Sequence, residues 1–131
     1  MKKFFSFILV LLGIHAGTAC GQQHFENVDV KGFAELIQNP DVQLLDVRTA
    51  EEFAEAHLER AINIDVKKHD FIIQAVEHLD TTKVLAVYCR SGRRSANAAE
   101  MLAEKGFKVV NLEGGIIAWK NEQMPIVSSI P

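Results

Sequence analysis

The sequence predicts an α/β fold with a five-stranded, mostly parallel sheet that carries helices on both faces. Short apolar segments rich in Val, Ile and Leu alternate along the chain with longer segments of helical character. Within these segments polar residues do not alternate with apolar ones, which is typical of strands that are buried on both sides. Strands that alternate with helices in this way favour a parallel sheet between two helical layers.

The elements follow one another in a regular order. Strands are predicted at residues 28–30, 42–47, 61–65, 83–89 and 108–114, and helices at residues 32–38, 49–57, 71–79, 95–105 and 116–122. Thr49 and Glu52 form a capping box at the start of the second helix. Asn39-Pro40 ends the first helix, and Gly106 ends the fourth. Right-handed crossovers bring the strand C-terminal ends to one edge of the sheet, where ligands usually bind.

Residues 1–19 have the features of a secretory signal. Two lysines at positions 2 and 3 precede an apolar run from Phe4 to Ile14, and small residues follow. The run is too short to cross a bilayer and ends before a polar segment. We therefore expect the leader to be cleaved and the protein to be exported.

The end of this leader suggests a lipid anchor. "GTAC" resembles a bacterial lipobox in which Cys20 is lipidated, although Gly17 stands where that motif usually has Leu. Ordinary cleavage after Ala19 is the alternative. The sequence thus predicts a signal peptide, a short tether at residues 20–25 and one domain at residues 26–131, in a periplasmic protein held to a bacterial membrane by its N-terminal lipid.

Composition limits the classes of partner. A chain of 131 residues, 48% hydrophobic and 24% charged, suits one globular domain. The net charge is −3, and loss of the two leader lysines makes it −3 − 2 = −5. The absence of a basic face beyond one local cluster argues against a nucleic-acid partner. His24, His69 and His78 have no partner at metal-ligand spacing, so no metal or organic cofactor is expected.

The stretch "YCRSGRRS" at residues 88–95 concentrates positive charge around a cysteine. Cys89 ends a predicted strand, and a predicted helix begins near Ser95. The first-turn amides of that helix lack internal partners, and three arginines add full charges. These features favour the thiolate over the thiol and attract a small dianion. The alternatives are a cysteine that only packs in the core and arginines that form a solvated face.

Three ordered motifs identify a family resemblance. "CRSGRRS" follows "VLAVY", "LLDVRTAEEFAEAH" lies upstream, and "NLEGGIIAW" lies downstream. Together they resemble a single-domain rhodanese over about residues 26–124. The resemblance implies a central five-stranded parallel sheet and a cysteine that carries sulfur as a persulfide.

The resemblance also assigns residues. Cys89 matches the sulfur-accepting nucleophile, and Asp46 and Arg48 match an Asp-x-Arg clasp that supports the structure. The rest of the substrate-binding loop and the start of its helix correspond to Arg90, Ser91, Gly92, Arg93, Arg94 and Ser95. The family often shows Gly-His-Ile-Pro-Gly-Ala where this chain has residues 56–61, so the turn glycine and proline are missing. His57 is interpreted as structural, and Trp119 and Leu112 as core residues.

The activity expected from these residues is transfer of sulfane sulfur from thiosulfate or a related donor to cyanide or a thiol, through a Cys89 persulfide and without a cofactor. The partners are thus a small anionic donor and a thiol or cyanide acceptor. One alternative is a membrane-tethered module that carries sulfur or binds a partner without turnover. A cysteine-dependent phosphatase or arsenate reductase is disfavoured, because the Cys-x4-Arg spacing is one residue shorter than the Cys-x5-Arg loop that surrounds a phosphoryl group.

Overall fold

A computed structural model describes residues 24–130 of the chain. Strands β1 to β5 span Glu26–Val28, Gln43–Asp46, Ile62–Asn63, Val84–Tyr88 and Lys108–Leu112. Helices α1 to α5 span Val30–Leu36, Ala50–Glu55, Phe71–His78, Arg93–Glu104 and Gly115–Asn121. The predicted leader at residues 1–19 and Cys20 lie outside the described residues and remain predictions.

The five strands form one sheet in the order β1-β5-β4-β2-β3, and every pair is parallel. The predicted α/β fold with a five-stranded parallel sheet is confirmed. Since all strands point the same way, their C-terminal ends share one edge. The residue after β4 at this edge is Cys89.

The sheet is buried on both faces by two separate apolar clusters. Alternate residues of β4 face opposite sides, so Leu85 and Val87 belong to one cluster and Ala86 and Tyr88 to the other. The first cluster includes residues of α3 and α4, and the second includes residues of α1 and α5. Two buried layers explain why the strands read as apolar runs rather than as alternating patterns.

The predicted core positions Trp119 and Leu112 are confirmed. Trp119 is 3% exposed and Leu112 is fully buried. The Trp119 ring packs edge-on against Phe33 with ring centroids 6.2 Å apart, and its indole nitrogen donates to the Pro125 carbonyl at 2.8 Å. The apolar ring is thus buried while its polar group keeps a partner.

The first strand lies two residues earlier than predicted, and the prediction of residues 28–30 is wrong. Asp29 is the N-cap of α1, and its side chain accepts a hydrogen bond from the Gly32 amide at 2.9 Å. Val30 is therefore the first helical residue and is buried against the sheet. A capping aspartate between two valines was misread as part of an apolar strand.

The helix after the cysteine also begins earlier, at Arg93 rather than near Ser95. Gly92 is its N-cap and has φ = 104°, a conformation that glycine adopts without steric cost. Arg93, Arg94 and Ser95 consequently belong to the first turn of α4. Within residues 24–130, no helix has the length and apolarity needed to cross a membrane.

Candidate active site

Cys89 lies beneath a short loop at the C-terminal edge of the sheet and is 1% exposed. Its sulfur accepts a hydrogen bond from the Gly92 amide at 3.1 Å and lies 3.3 Å from the Ser95 hydroxyl. The same hydroxyl lies 3.2 Å from the Gly92 carbonyl, so its single proton can go to either acceptor. A negatively charged sulfur would be the stronger acceptor, which makes this arrangement a stabilising one for a thiolate or persulfide.

Helix α5 orients the peptide groups of the loop. The Ile116 and Ile117 amides donate to the carbonyls of Cys89 and Arg90 at 2.9 and 3.1 Å. In a trans peptide the N–H points opposite to the C=O. The amides of Arg90 and Ser91 therefore point away from α5. The loop thus keeps its carbonyl oxygens bound to a helix and leaves amide hydrogens for an anion.

Two consecutive glycines allow this helix to approach so closely. Gly114 and Gly115 have φ values of 85° and 61°. A Cβ at Gly115 would lie 2.3 Å from the Arg90 carbonyl oxygen and 2.7 Å from the Cys89 carbonyl oxygen. The sequence motif containing this pair was noted only as a family resemblance. The signal in the sequence for the positioning role of this pair was its place just after the buried strand β5.

The three arginines of the loop have different surroundings. Arg90 and Arg93 are exposed and form no ion pair within the described part of the chain. Arg94 instead binds Glu52 through both guanidinium nitrogens, with N–O distances of 2.9 Å each. Its hydrogen bonds with Glu52 raise the pKa of Arg94. Glu52 was recognised in the sequence only as a helix-capping residue, because its partner is 42 residues away.

Acid should weaken the contact between Glu52 and Arg94. Hydrogen bonds from Arg94 are the largest cause that lowers the pKa of Glu52 from 4.5 to about 2. A lowered folded-state pKa means that the stabilisation is complete above pH 4.5 and is lost as the pH falls toward 2. The pair is part-exposed, so we expect at most about 1 kcal/mol.

The measurement is urea unfolding of the wild type and Glu52→Gln between pH 6 and about pH 2, the range in which this carboxylate titrates. The wild type should be the more stable at pH 6, and the difference should vanish at the acidic end. Glu51→Gln, an exposed neighbour on the same helical turn, is the control and should give a much flatter difference. A constant Glu52→Gln difference across this range would contradict the prediction.

Asp46 and Arg48 form a buried pair below the loop. Arg48 donates through Nε and Nη2 to the Asp46 carboxylate, with the shortest distance 2.7 Å, and Nη2 also donates to the Ala56 carbonyl at 2.6 Å. The guanidinium lies 5.7 Å from the ring centroid of Tyr88. The Tyr88 hydroxyl accepts from the Leu58 amide at 3.1 Å, and burial and the Asp46 carboxylate raise the pKa of Tyr88. These contacts join the ends of β2 and β4 to the segment after α2.

His57 lies in this same segment, away from the sulfur-binding loop. Its ring stacks on Phe53 with centroids 3.7 Å apart, and Nδ1 lies 2.7 Å from the Phe53 carbonyl. Because a carbonyl only accepts, Nδ1 carries a hydrogen. The backbone of His57 pairs with Val127 in an isolated antiparallel bridge. The ring and the backbone of His57 are thus held by Phe53 and Val127.

The turn that lacks the family's glycine keeps the backbone shape that glycine would favour. Arg60 has φ = 76°, a left-handed conformation that costs about 1–2 kcal/mol for an L-residue. Its guanidinium donates to the Ile37 carbonyl at the end of α1. This contact offsets part of the strain and holds the turn.

The other histidines in residues 24–130, which are His24, His69 and His78, lie at the surface as predicted. His24 pairs with Glu100 at 2.9 Å, and His78 lies 2.8 Å from the Gln74 carbonyl. Among residues 24–130, no group of three or more His, Cys, Asp or Glu side chains is arranged to hold a metal ion. Cys89 is a free thiol. The site is therefore built from a cysteine, backbone amides, a hydroxyl and two unpaired cations.

A buried cysteine under an amide-lined loop at the edge of a parallel sheet is an arrangement in which a thiolate can act as a nucleophile. The model of the family described as "Rhodanese-like domain" matches residues 29–122. The chain therefore belongs to the rhodanese-like family, and it is an enzyme of the sulfurtransferase class, as several named relatives are. This confirms the resemblance inferred from the sequence motifs.

Individual relatives cover most of the domain. The chain is 42% identical over 85 residues to YtwF of Bacillus subtilis, covering 65% of this chain and 80% of the relative. It is 37% identical over 112 residues to thiosulfate sulfurtransferase 18 of Arabidopsis thaliana, covering 76% and 82%. Among solved structures, a rhodanese-related protein from Thermoplasma volcanium superposes with a TM-score of 0.70 at 31% identity, covering 79% of this chain and 98% of the other.

Proposed function

We propose that the enzyme accepts sulfane sulfur from thiosulfate on Cys89 and passes it to cyanide or a thiol. The observation that carries this proposal is the pair of donors on the Cys89 sulfur, from the Gly92 amide and the Ser95 hydroxyl. These donors stabilise negative charge on sulfur before and after transfer. The name of the Arabidopsis relative supports thiosulfate as donor.

The first half-reaction loads the cysteine. The Cys89 thiolate attacks the outer sulfur of thiosulfate, a new sulfur–sulfur bond forms, and the bond to the sulfonate sulfur breaks. Sulfite leaves with that electron pair. The exposed cations Arg90 and Arg93 would attract the dianionic donor and stabilise the leaving sulfite.

The second half-reaction transfers the sulfur from Cys89 to the acceptor. Cyanide or a thiolate attacks the outer sulfur of the persulfide, and Cys89 leaves as a thiolate that the same two donors stabilise. No net oxidant is needed, because one sulfur atom moves from donor to acceptor. Export and lipid anchoring through Cys20 remain part of the proposal, supported by the leader sequence at residues 1–20.

The test is the intact mass of the purified protein before and after incubation with thiosulfate. We expect the wild type to gain the mass of one sulfur atom and to lose it on addition of cyanide. Cys89→Ser should gain nothing, since a serine hydroxyl is not a thiolate nucleophile at neutral pH. If the reduced wild type gains no mass, thiosulfate is not the donor. A gain of mass in Cys89→Ser would instead show that another group accepts the sulfur.

A further inference from the structure

We infer that Glu52 is a positioning residue that holds Arg94, and through it the first turn of α4, in the geometry that sulfur transfer needs. This inference rests on the proposed function and deepens it. It assigns to Arg94 a bracing role rather than contact with the donor, and it leaves Arg90 and Arg93 as the cations available to an anion.

The first support is the geometry of the contact. Arg94 is the second residue of α4, and both of its terminal nitrogens donate to the two oxygens of Glu52. A two-point Arg–carboxylate contact fixes orientation as well as distance. Glu52 is itself held, because Oε1 also accepts from the Thr49 amide at 3.0 Å and the Thr49 hydroxyl at 3.1 Å. The contact between Glu52 and Arg94 therefore connects the first turns of α2 and α4.

The second support is the position of Arg94 between the two groups that contact sulfur. Gly92 and Ser95 donate to the Cys89 sulfur from either side of Arg94 in the sequence. A rotation of the first turn of α4 would move the Ser95 hydroxyl and the Gly92 amide together. Small misplacements of such groups are costly, since an error near 1 Å can reduce a rate by about 100-fold.

The third support is the distribution of charge. An unpaired carboxylate near the loop would repel an anionic donor. Glu52 has its charge matched by Arg94, whereas Arg90 and Arg93 have no such partner among the described residues. Loss of the Glu52 charge should therefore leave donor attraction intact or stronger. Its cost should fall on the geometry of the sulfur site, because the Arg94 charge near Cys89 is kept.

Glu52→Gln isolates this contact. Glutamine still serves the capping box with Thr49, so the start of α2 is kept. It can no longer offer two carboxylate oxygens to the Arg94 guanidinium. Glu51→Gln is the matched control, because Glu51 lies on the same turn, is exposed and forms no ion pair in residues 24–130.

Steady-state kinetics with thiosulfate and cyanide provide the main readout, at a temperature where circular dichroism shows every variant folded. We expect Glu52→Gln to lower kcat by about 10-fold or more without raising the KM for thiosulfate. Arg94→Gln should lower kcat to the same extent but raise the KM for thiosulfate, because it leaves the Glu52 carboxylate unpaired near the loop. The double variant should have the kcat of either single variant without the raised KM, because both substitutions remove one contact. Glu51→Gln should behave as the wild type.

Two outcomes would overturn the inference. One is a Glu52→Gln enzyme with the kcat of Glu51→Gln. The other is an Arg94→Gln enzyme with a raised KM for thiosulfate and an unchanged kcat, which would place Arg94 on the donor.

A second readout keeps the positioning role testable if thiosulfate is not the donor. Neutral iodoacetamide alkylates Cys89 without any sulfur transfer, and its rate follows the thiolate that the loop stabilises. Glu52→Gln and Arg94→Gln change the net charge near the sulfur in opposite directions. We expect both to be alkylated several-fold more slowly than the wild type and Glu51→Gln, and a shared slowing would come from the displaced first turn of α4 and not from charge. Equal alkylation rates in all four proteins would refute the positioning role of Glu52, whatever the sulfur donor is. Failure of the wild type to gain sulfur from thiosulfate would refute only the proposed function.

Discussion

The substitution Gly115→Ala is expected to lower the free energy of unfolding by about 2–5 kcal/mol and the rate of sulfur transfer by about 100-fold or more. The left-handed backbone of Gly115 (φ = 61°) costs an alanine about 1–2 kcal/mol. The added Cβ would lie 2.3 Å from the Arg90 carbonyl oxygen, and such overpacking costs about 1–3 kcal/mol more. Either α5 or the loop must move, and the loop holds the sulfur.

Gly106→Ala separates the cost of backbone strain from the cost of the steric clash with the loop. Gly106 also has a positive φ, 96°, but a Cβ there meets no atom within 4 Å. Its stability should fall by about 1–2 kcal/mol from backbone strain alone, with sulfur transfer unchanged. Urea unfolding and thiosulfate kinetics measure both effects. Equal losses of stability and activity in the two variants would show that the approach of α5 to the loop does not matter.

The second large effect is expected at the buried ion pair. Asp46→Asn should destabilise the protein by about 3–5 kcal/mol, since it leaves the Arg48 charge buried without a counter-ion. Asp46 is fully buried and Arg48 is 4% exposed, so water cannot replace the lost carboxylate. The asparagine keeps the size of the side chain, which limits any packing effect. Urea or thermal unfolding followed by circular dichroism gives the free energy.

The matched control is Asp41→Asn, the same chemical change at an exposed position. It should alter the free energy of unfolding by no more than about 0.5 kcal/mol. Replacing the pair with apolar residues, as in Asp46→Leu with Arg48→Met, should cost less than Asp46→Asn, because no unpaired charge is left inside. A double variant less stable than Asp46→Asn would mean that the hydrogen bonds from Arg48 to the Ala56 carbonyl and from the Arg48 amide to Asp46 outweigh the buried charge.

The succession of strands and helices along the chain and the place of the cysteine could be predicted because they depend on local patterns. Apolar runs and helix caps repeat along the chain, and parallel topology follows from their alternation. The errors occurred at boundaries that are set by a helix-capping residue. Asp29 ends β1 by capping α1. Gly92 caps α4, which begins at Arg93, two residues before the predicted start. Cap geometry depends on φ and ψ, which the residue types alone do not fix.

The roles of the loop arginines could not be read from the sequence. All three have the same side chain within five residues, so composition assigns them the same charge. Only Arg94 meets a carboxylate, and that carboxylate belongs to a helix 42 residues earlier. The glycine pair after β5 is a similar case, since its importance depends on the carbonyls of Cys89 and Arg90 packed against it.

The sequence by itself determined the α/β class, the parallel sheet, the rhodanese-like family and the position of the cysteine at a strand end. These properties follow from periodicity and from motifs that are contiguous in the chain. The tertiary structure decided which groups contact the sulfur, which arginines remain unpaired and which helix holds the loop carbonyls. Those features join residues far apart in sequence, and their distances are set only when both helical layers pack on the sheet.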